Sequence, residues 1–366
     1  MKKKALIAMS GGVDSSVAAL LAGEGGVDSS VAALLAGEGG YERIGCTMLL
    51  RGDAAAETCG STQDVADARA VAERLQIPFH VFDFTADFKS HVIDKFIQSY
   101  EQGITPNPCI DCNRYMKFDR LYDCARDLGC EVIVTGHYAR IEKSGEQYYL
   151  KKAVDISKDQ SYFLYHLSAE QLARTQFPLG ELTKTQVRAL AAKHGFANAD
   201  KKESQDICFV PNGDYAAVIQ NCTGKTYPCG NFVDADGKVL GQHRGIIHYT
   251  VGQRKGLNIS AAQRLYVRSI CSAENTVCLC ERDGLLQSQA TANEFHWING
   301  APHEKTFRCH VKIRYNQKEQ PATVQIMSAD QVQIIFDEPQ RAVTPGQAAV
   351  LYQDDIVLGG GILIKS

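Results

Sequence analysis

A short apolar run, Lys4–Met9, leads straight into Ser10-Gly-Gly-Val-Asp-Ser-Ser16, and this junction constrains the fold more than any other stretch. Glycines let a backbone turn sharply and approach a ligand closely, and Val13–Ala22 beyond them carries helical spacing. A strand that turns through glycines into a helix offers amide hydrogens and hydroxyls at the helix start, a cradle for phosphate. The Gly-Lys-Ser/Thr of a Walker loop does not follow these glycines. The plain alternative is a glycine turn with an Asp/Ser helix cap. Strand, loop and helix in this order favour a nucleotide site formed by Ala8, Met9, Ser10, Gly11, Gly12, Val13, Asp14 and Ser15.

The same loop is duplicated. Residues 11–24 read GGVDSSVAALLAGE, and residues 25–38 repeat them letter for letter. A continuous helix would keep nearly the same apolar face through the repeat, but Gly-Glu-Gly-Gly at 23–26 should break it. Only the first copy has Ser10 and a strand before it; the second has Glu24 in the place of Ser10. The first copy is therefore expected to bind nucleotide and the second to form an inserted helical hairpin.

Strand-like segments (Lys4–Met9, Arg43–Leu50, Phe79–Phe84, Glu131–Thr135) alternate with helix-like ones (Val13–Ala22, Thr62–Leu75, Asp87–Glu101, Asn113–Leu128). Such alternation predicts an α/β fold, a parallel sheet with helices on both faces and ligands at the carboxyl ends of its strands. Residues 158–220 read as mainly helical, with Thr183–His194 the clearest helix. Beyond about 221 the texture becomes β-like, with turn signals such as Asp234-Ala-Asp-Gly237, and Lys305–Ser366 alternates like a small barrel. The expected domains are 1–220 (catalytic), 221–291 (central, β-rich) and 292–366 (C-terminal β-barrel).

With 39 basic against 42 acidic residues, the chain is no general polycation, and any nucleic acid must be held by local patches. No apolar run approaches the roughly 20 residues of a membrane helix, and the apolar stretch after Met1 is too short for a signal peptide. Thirteen cysteines in a chain this long fit a reducing cytoplasm better than secretion.

Two of them, Cys109 and Cys112, form a CxxC in Thr105-Pro-Asn-Pro-Cys-Ile-Asp-Cys-Asn-Arg-Tyr-Met-Lys-Phe118, where prolines precede a helix. Cys112 is expected near a helix N-terminus, where thiolate is favoured. Cys208, in Glu203-Ser-Gln-Asp-Ile-Cys-Phe209, is a third candidate. Half of a structural zinc site with Cys124 or Cys130, or a redox pair, would also use a CxxC; a zinc ribbon would want a second one, which is absent.

These motifs, together with TGHYAR (135–140), KDQSYFL (158–164), VGQRKGL (251–257) and Pro345-Gly-Gln-Ala-Ala-Val-Leu-Tyr352, closely resemble the bacterial tRNA-specific 2-thiouridylases, the MnmA/TrmU family of PP-loop ATP pyrophosphatases. The resemblance is nearly collinear over the chain once one repeat is set aside. It implies a cytoplasmic, monomeric enzyme that uses ATP and Mg2+ to thiolate the wobble uridine of tRNAs for Lys, Glu and Gln. It places Met48 and Gly136 at ATP and Asn107, Pro108 and Cys109 around the target base. His137, Lys158, Asp159, Gln160, Arg314, Tyr315 and Gln347 match tRNA-contact positions. Judged as residues alone, each of these is weak. Arg244, Arg254, Lys255 and Lys312 add candidate phosphate contacts.

The resemblance leaves two sulfur routes. In one, Cys112 is the nucleophile and Cys208 carries a persulfide, and the two can form a disulfide. In the other, three ligands hold a 4Fe–4S cluster that presents sulfide. Many relatives have Asp where Cys109 stands; the trio Cys109, Cys112 and Cys208 favours the cluster, since cluster ligation prefers thiolates. A cysteine desulfurase or a sulfur-relay protein is the implied donor. The rivals are another PP-loop adenylating enzyme acting on a small molecule, and a non-catalytic metal- or RNA-binding module.

Overall fold

The computed structural model describes residues 3–23, 41–51, 60–196 and 207–365. The second repeat copy, 25–38, and its expected hairpin lie outside them. The chain divides into two compact units: Met1–Val92, Cys109–Pro211 and Asp355–Leu358 form the first, and Ile93–Pro108, Asn212–Asp354 and Gly359–Ser366 the second.

The first unit is built on a parallel sheet. Its middle strand β1 (Lys4–Ala8) has Ala5, Leu6 and Ile7 fully buried, as a strand covered on both faces requires. On one side lie β2 (Glu42–Leu49) and β3 (Phe79–Asp83), and on the other β4 (Val132–Val134) and the short β7 (Thr175–Gln176). Because β2 and β4 flank β1, the loops after β1 and β4 leave the sheet side by side, the usual ligand position in such folds.

Helix α1 (Val13–Leu21) buries Val17, Ala18, Ala19 and Leu20 in a core shared with Ile7, Val134, Val187 and Ala191. Each fully buried Val or Leu contributes about 1.5–3 kcal/mol. Helix α2 (Thr62–Arg74) starts on a reciprocal cap: Ser61 Oγ accepts from the Asp64 amide at 3.2 Å, and Asp64 Oδ2 from the Ser61 amide at 3.4 Å.

Two expected helices are not uniform. The first is Thr85–Phe88, a π-helical turn at Lys89–Ile93, then Asp94–Glu101. The second starts earlier than read, at Pro108–Asp111, and widens into a π-helix over Cys112–Arg120 before Leu121–Asp127. Such widened turns recur at functional sites. Among the described residues from 158 onward the α-helices before the β-rich part are Ala169–Ala173, Lys184–Lys193 and Tyr215–Thr223, with more irregular chain than expected. A hairpin absent from the sequence reading, β5 (Ala139–Ser144) and β6 (Gln147–Lys152), is anchored by Asp355, whose carboxylate meets Arg140 at 2.7 Å and Lys151 at 3.2 Å.

In the second unit, β8 (Gly230–Val233), β9 (Val239–His243), β10 (Tyr266–Cys271) and β11 (Thr276–Cys280) form a small mixed sheet in the order β10-β11-β8-β9. The Asp234–Gly237 turn joins β8 to β9, with Asp234 Oδ1 accepting from the amides of Asp236 and Lys238. A six-stranded antiparallel barrel follows: β12 (Leu286–Trp297), β13 (Thr306–Lys312), β14 (Gln320–Ile326), β15 (Val332–Arg341), β16 (Ala348–Gln353) and β17 (Ile356–Leu363), closed by β12 pairing with β17. Alternate residues such as Val332, Ile334 and Phe336 fill it. Its first strand begins at Leu286, upstream of the run read as barrel-like.

Candidate active site

The loop after β1 is held from beneath. Thr47 donates to the Met9 carbonyl at 2.5 Å, and the Met9 amide donates to the Cys46 carbonyl at 2.7 Å. Met9 is buried and its backbone amide and carbonyl are both engaged in this way, so it supports the loop from within. Gly11 has φ +70°, and a Cβ there would sit 2.7 Å from the Asp64 carbonyl oxygen at the start of α2. Ser15 Oγ accepts from the Ser10 amide at 3.1 Å and donates to the Gly12 carbonyl at 3.0 Å, while Ser16 donates to that carbonyl at 3.0 Å. Both hydroxyls are buried and brace the loop. The amides that open α1 have no carbonyl one turn before them, which suits an anion.

Gly136, after β4, packs against this loop. A Cβ there would lie 2.9 Å from the Asp14 carbonyl carbon and 2.9 Å from the Ser15 amide nitrogen. Asp14 is bound by two residues the sequence reading missed: Lys184 Nζ reaches both carboxylate oxygens at 2.8 Å, and the Tyr138 hydroxyl donates to Oδ1 at 2.9 Å. Ala8 and Met48 are half-buried at the ends of β1 and β2, and Val13 is buried in α1. The expected magnesium has no protein cage among the described residues; its usual partners, polyphosphate and one or two carboxylates, need none.

The thiols are placed differently from expectation. Cys109 lies in the first turn of the helical run that begins at Pro108, and Cys112 comes a turn later, where the π-helix starts. The helix-start environment therefore belongs to Cys109. Cys208 precedes Phe209, whose ring meets Phe88 edge-on at 5.9 Å. All three cysteines are half-buried. Among the described residues, no three His, Cys, Asp or Glu side chains gather in a metal-holding arrangement. The trio thus does not fit a cluster here, and no chemical step is derived through one. Glu203–Asp206 lie outside the described residues.

Several expected tRNA contacts have other partners. His137 is buried, with Nδ1 at 2.6 Å from Thr135 Oγ1 and Nε2 at 3.1 Å from Asn113 Oδ1 and 3.2 Å from Lys117 Nζ. Burial, then the Lys117 and His166 charges, hold its pKa well below the usual imidazole value, so it stays neutral. Asp159 is buried and accepts from the Ala153 amide and the Ser161 hydroxyl, and Gln160 Oε1 accepts from the Tyr138 amide at 3.0 Å. Lys158 is half-buried beside them.

In the second unit, Gln347 donates to the carbonyls of Thr105 and Pro106 at 2.9 and 3.2 Å, bracing the stretch that leads into Asn107 and Pro108. Arg314 is another of the positions that match tRNA contacts. It lies beyond β13, and its guanidinium donates to the carbonyls of Val251 (3.0 Å) and Ala342 (3.2 Å) and to the Thr344 hydroxyl. Tyr315 has the Lys312 ammonium 5.3 Å from its ring centre. A cleft of about 440 Å³ is lined by Gln253, Arg254, Lys255, Tyr266 and Arg341, a basic concavity within the VGQRKGL region.

Comparison with known proteins adds three domain matches: a "tRNA methyl transferase HUP domain" over 21–212, a "tRNA methyl transferase PRC-barrel domain" over 217–281 and an "Aminomethyltransferase beta-barrel domain" over 287–363. The first starts at residue 21, so it takes in the second repeat copy and only the last four residues of the copy that follows β1. The chain is 45% identical over its whole length to 99% of a protein of Clostridioides difficile named tRNA-specific 2-thiouridylase MnmA. Proteins of the same name are 45% identical in Carboxydothermus hydrogenoformans (100% of this chain, 98% of theirs) and 46% identical in Geotalea uraniireducens (98% and 94%). An NAD+ synthetase from Burkholderia pseudomallei aligns over 56% of this chain and 65% of its own, at 16% identity and TM-score 0.33, a likeness too partial to carry an argument.

Proposed function

The chain belongs to the tRNA-specific 2-thiouridylase family, and from that premise we propose that it is an ATP-dependent tRNA sulfurtransferase acting on the wobble uridine of tRNAs for Lys, Glu and Gln. The observation that carries this reading is full-length identity of 45% to relatives of that name. The domain models speak of methyl transfer. A nucleotide loop and a cysteine motif in one chain are the equipment of adenylation and sulfur transfer, and they favour the relatives' name.

The uridine C2 oxygen is a poor leaving group. It attacks the ATP α-phosphorus, the bond from that phosphorus to the bridging oxygen breaks, and pyrophosphate departs with the electron pair. Sulfur then adds to C2, and AMP leaves with the former C2 oxygen. Ser10–Ser15 and Gly136 hold the polyphosphate, and magnesium, when bound, would supply charge neutralisation there. Asn107, Pro108 and Cys109 receive the base, which has to be splayed out of the anticodon loop for its C2 to be reached.

For the sulfur, the thiol route is the one proposed. A persulfide on Cys208, charged by a cysteine desulfurase or relay protein, attacks C2 through its terminal sulfur. Cys112 thiolate then attacks the Cys208 sulfur. This releases 2-thiouridine and leaves a Cys112–Cys208 disulfide, which an external thiol reduces. The repeat copy after β1 is assigned as the ATP loop. Lys158, Tyr315 and the Arg254–Lys255 cleft are assigned to the tRNA. The enzyme works as a cytoplasmic monomer; among the described residues no helix is long and apolar enough to cross a membrane.

The test is pyrophosphate release from ATP on adding tRNA, with 2-thiouridine measured by mass spectrometry in a complemented thiolation-deficient strain. A small-molecule adenylating enzyme would ignore tRNA, and a binding module would release nothing. Anaerobic purification with iron and sulfide assays tests the thiol route: iron- and sulfide-loaded protein whose activity tracks the iron would refute it.

A further inference from the structure

Lys184 opens the helix Lys184–Lys193, the end at which a cation is least favoured, because the opening amides already carry partial positive charge. It is nevertheless only 8% exposed, so its ammonium needs an anion inside the protein. That anion is Asp14 of the nucleotide loop, with both carboxylate oxygens at 2.8 Å. The helix start is fixed independently. The Lys184 amide donates to Asp155 Oδ2 at 3.0 Å, and Thr183 and Gln186 cap each other, with the Thr183 amide donating to Gln186 Oε1 at 2.8 Å. Tyr138 closes the group by donating to Asp14 Oδ1, its ring centre 5.7 Å from the ammonium.

A carboxylate in the first turn after a phosphate loop raises a difficulty. It stabilises the empty helix start, yet it repels the polyanion the loop is built to accept. We propose that Lys184 is a positioning residue of the nucleotide site: it cancels the Asp14 charge and fixes that carboxylate. The loop can then present amides and hydroxyls to a polyphosphate without the Asp14 charge opposing it. The proposal rests on reading Ser10–Ser15 as an ATP loop.

The experiment measures ATP affinity by calorimetry on the full-length chain, in EDTA and without tRNA. The proteins are wild type, Lys184→Met, Lys184→Arg, Asp14→Asn and the double variant Asp14→Asn/Lys184→Met, each with its thermal midpoint. Lys184→Met should weaken ATP binding about tenfold or more at low salt, with the loss shrinking as salt rises. Lys184→Arg should retain most of the affinity. The double variant should recover to within about threefold of wild type, because no bare carboxylate remains. Unchanged affinity in Lys184→Met would overturn the proposal, as would a double variant that binds no better than Lys184→Met. The latter is what a purely structural ion pair would give. Wild-type protein that fails to bind ATP would instead refute the nucleotide-loop reading itself.

Discussion

Gly12→Ala separates what the loop glycines do for the fold from what they do for a ligand. Gly11 is required by the fold, through its positive φ and its approach to Asp64. Gly12 has neither constraint. Its φ and ψ of −91° and 162° are open to any residue, and an added Cβ would meet only Ser10 Oγ, at an ordinary 3.6 Å. Two small terms set the stability change. Alanine at a helix N-cap loses about 0.5–1 kcal/mol relative to glycine. A stiffer unfolded chain returns about 0.4–1 kcal/mol. The two nearly cancel, so the melting temperature should move by no more than about 2 °C. A methyl group standing where a phosphate oxygen approaches the α1 amides costs at least one charge-assisted hydrogen bond, about 1.5–3 kcal/mol, or roughly tenfold or more in ATP affinity. Thermal melts with and without ATP, paired with calorimetry, read both quantities. A folded Gly12→Ala protein that binds ATP like wild type would refute the assignment of this loop. A melt many degrees lower would refute the steric argument.

Other perturbations follow from the same geometry. Asp14→Ala, which leaves the buried Lys184 ammonium without its anion, should lower tRNA-dependent pyrophosphate release and Asp28→Ala should spare it; the opposite pattern would reassign the ATP loop to the second repeat copy. Arg314→Ala removes three hydrogen bonds and should cost the chain about 2–4 kcal/mol in denaturant unfolding. Exposed Lys255→Ala should leave stability unchanged and reduce the salt slope of tRNA binding by about one; the reverse pattern would restore Arg314 as the phosphate contact. His137 stays neutral in the fold while an unfolded histidine protonates near 6.5. Its share of stability is therefore complete above that pH and is lost as pH falls below it, by up to about 1.4 kcal/mol per pH unit. His137→Gln should remove one proton's worth of that slope in pH-dependent unfolding, leaving the shares of His243 and His248, also depressed by burial. An unchanged slope would mean that the ring titrates alike in both states.

The central strands and the loop were legible because they depend on local signals, an apolar run and a glycine pair. The π-helical turns were not, since one extra residue per turn barely changes the spacing of apolar residues. The β5–β6 hairpin did carry a signal, a Gly145-Glu146 turn between alternating runs, in the stretch between Glu131–Thr135 and residue 158 to which no element was given. Tertiary pairings were out of reach. Nothing near Lys184 points to Asp14, and a basic residue such as Arg314 reads the same whether it faces phosphate or three internal acceptors.

Asp355–Leu358 belongs to the first unit although almost all of the second precedes it in the chain. During synthesis, Arg140 and Lys151 therefore leave the ribosome long before Asp355, with Glu181 and Glu142 as their ion-pair partners until then among the described residues. At ordinary elongation rates, translating the stretch from Asn212 to Asp355 takes roughly ten to thirty seconds. The nucleotide-loop unit thus completes its ion-pair set among the last steps of translation, and no single cut in the chain can release it whole.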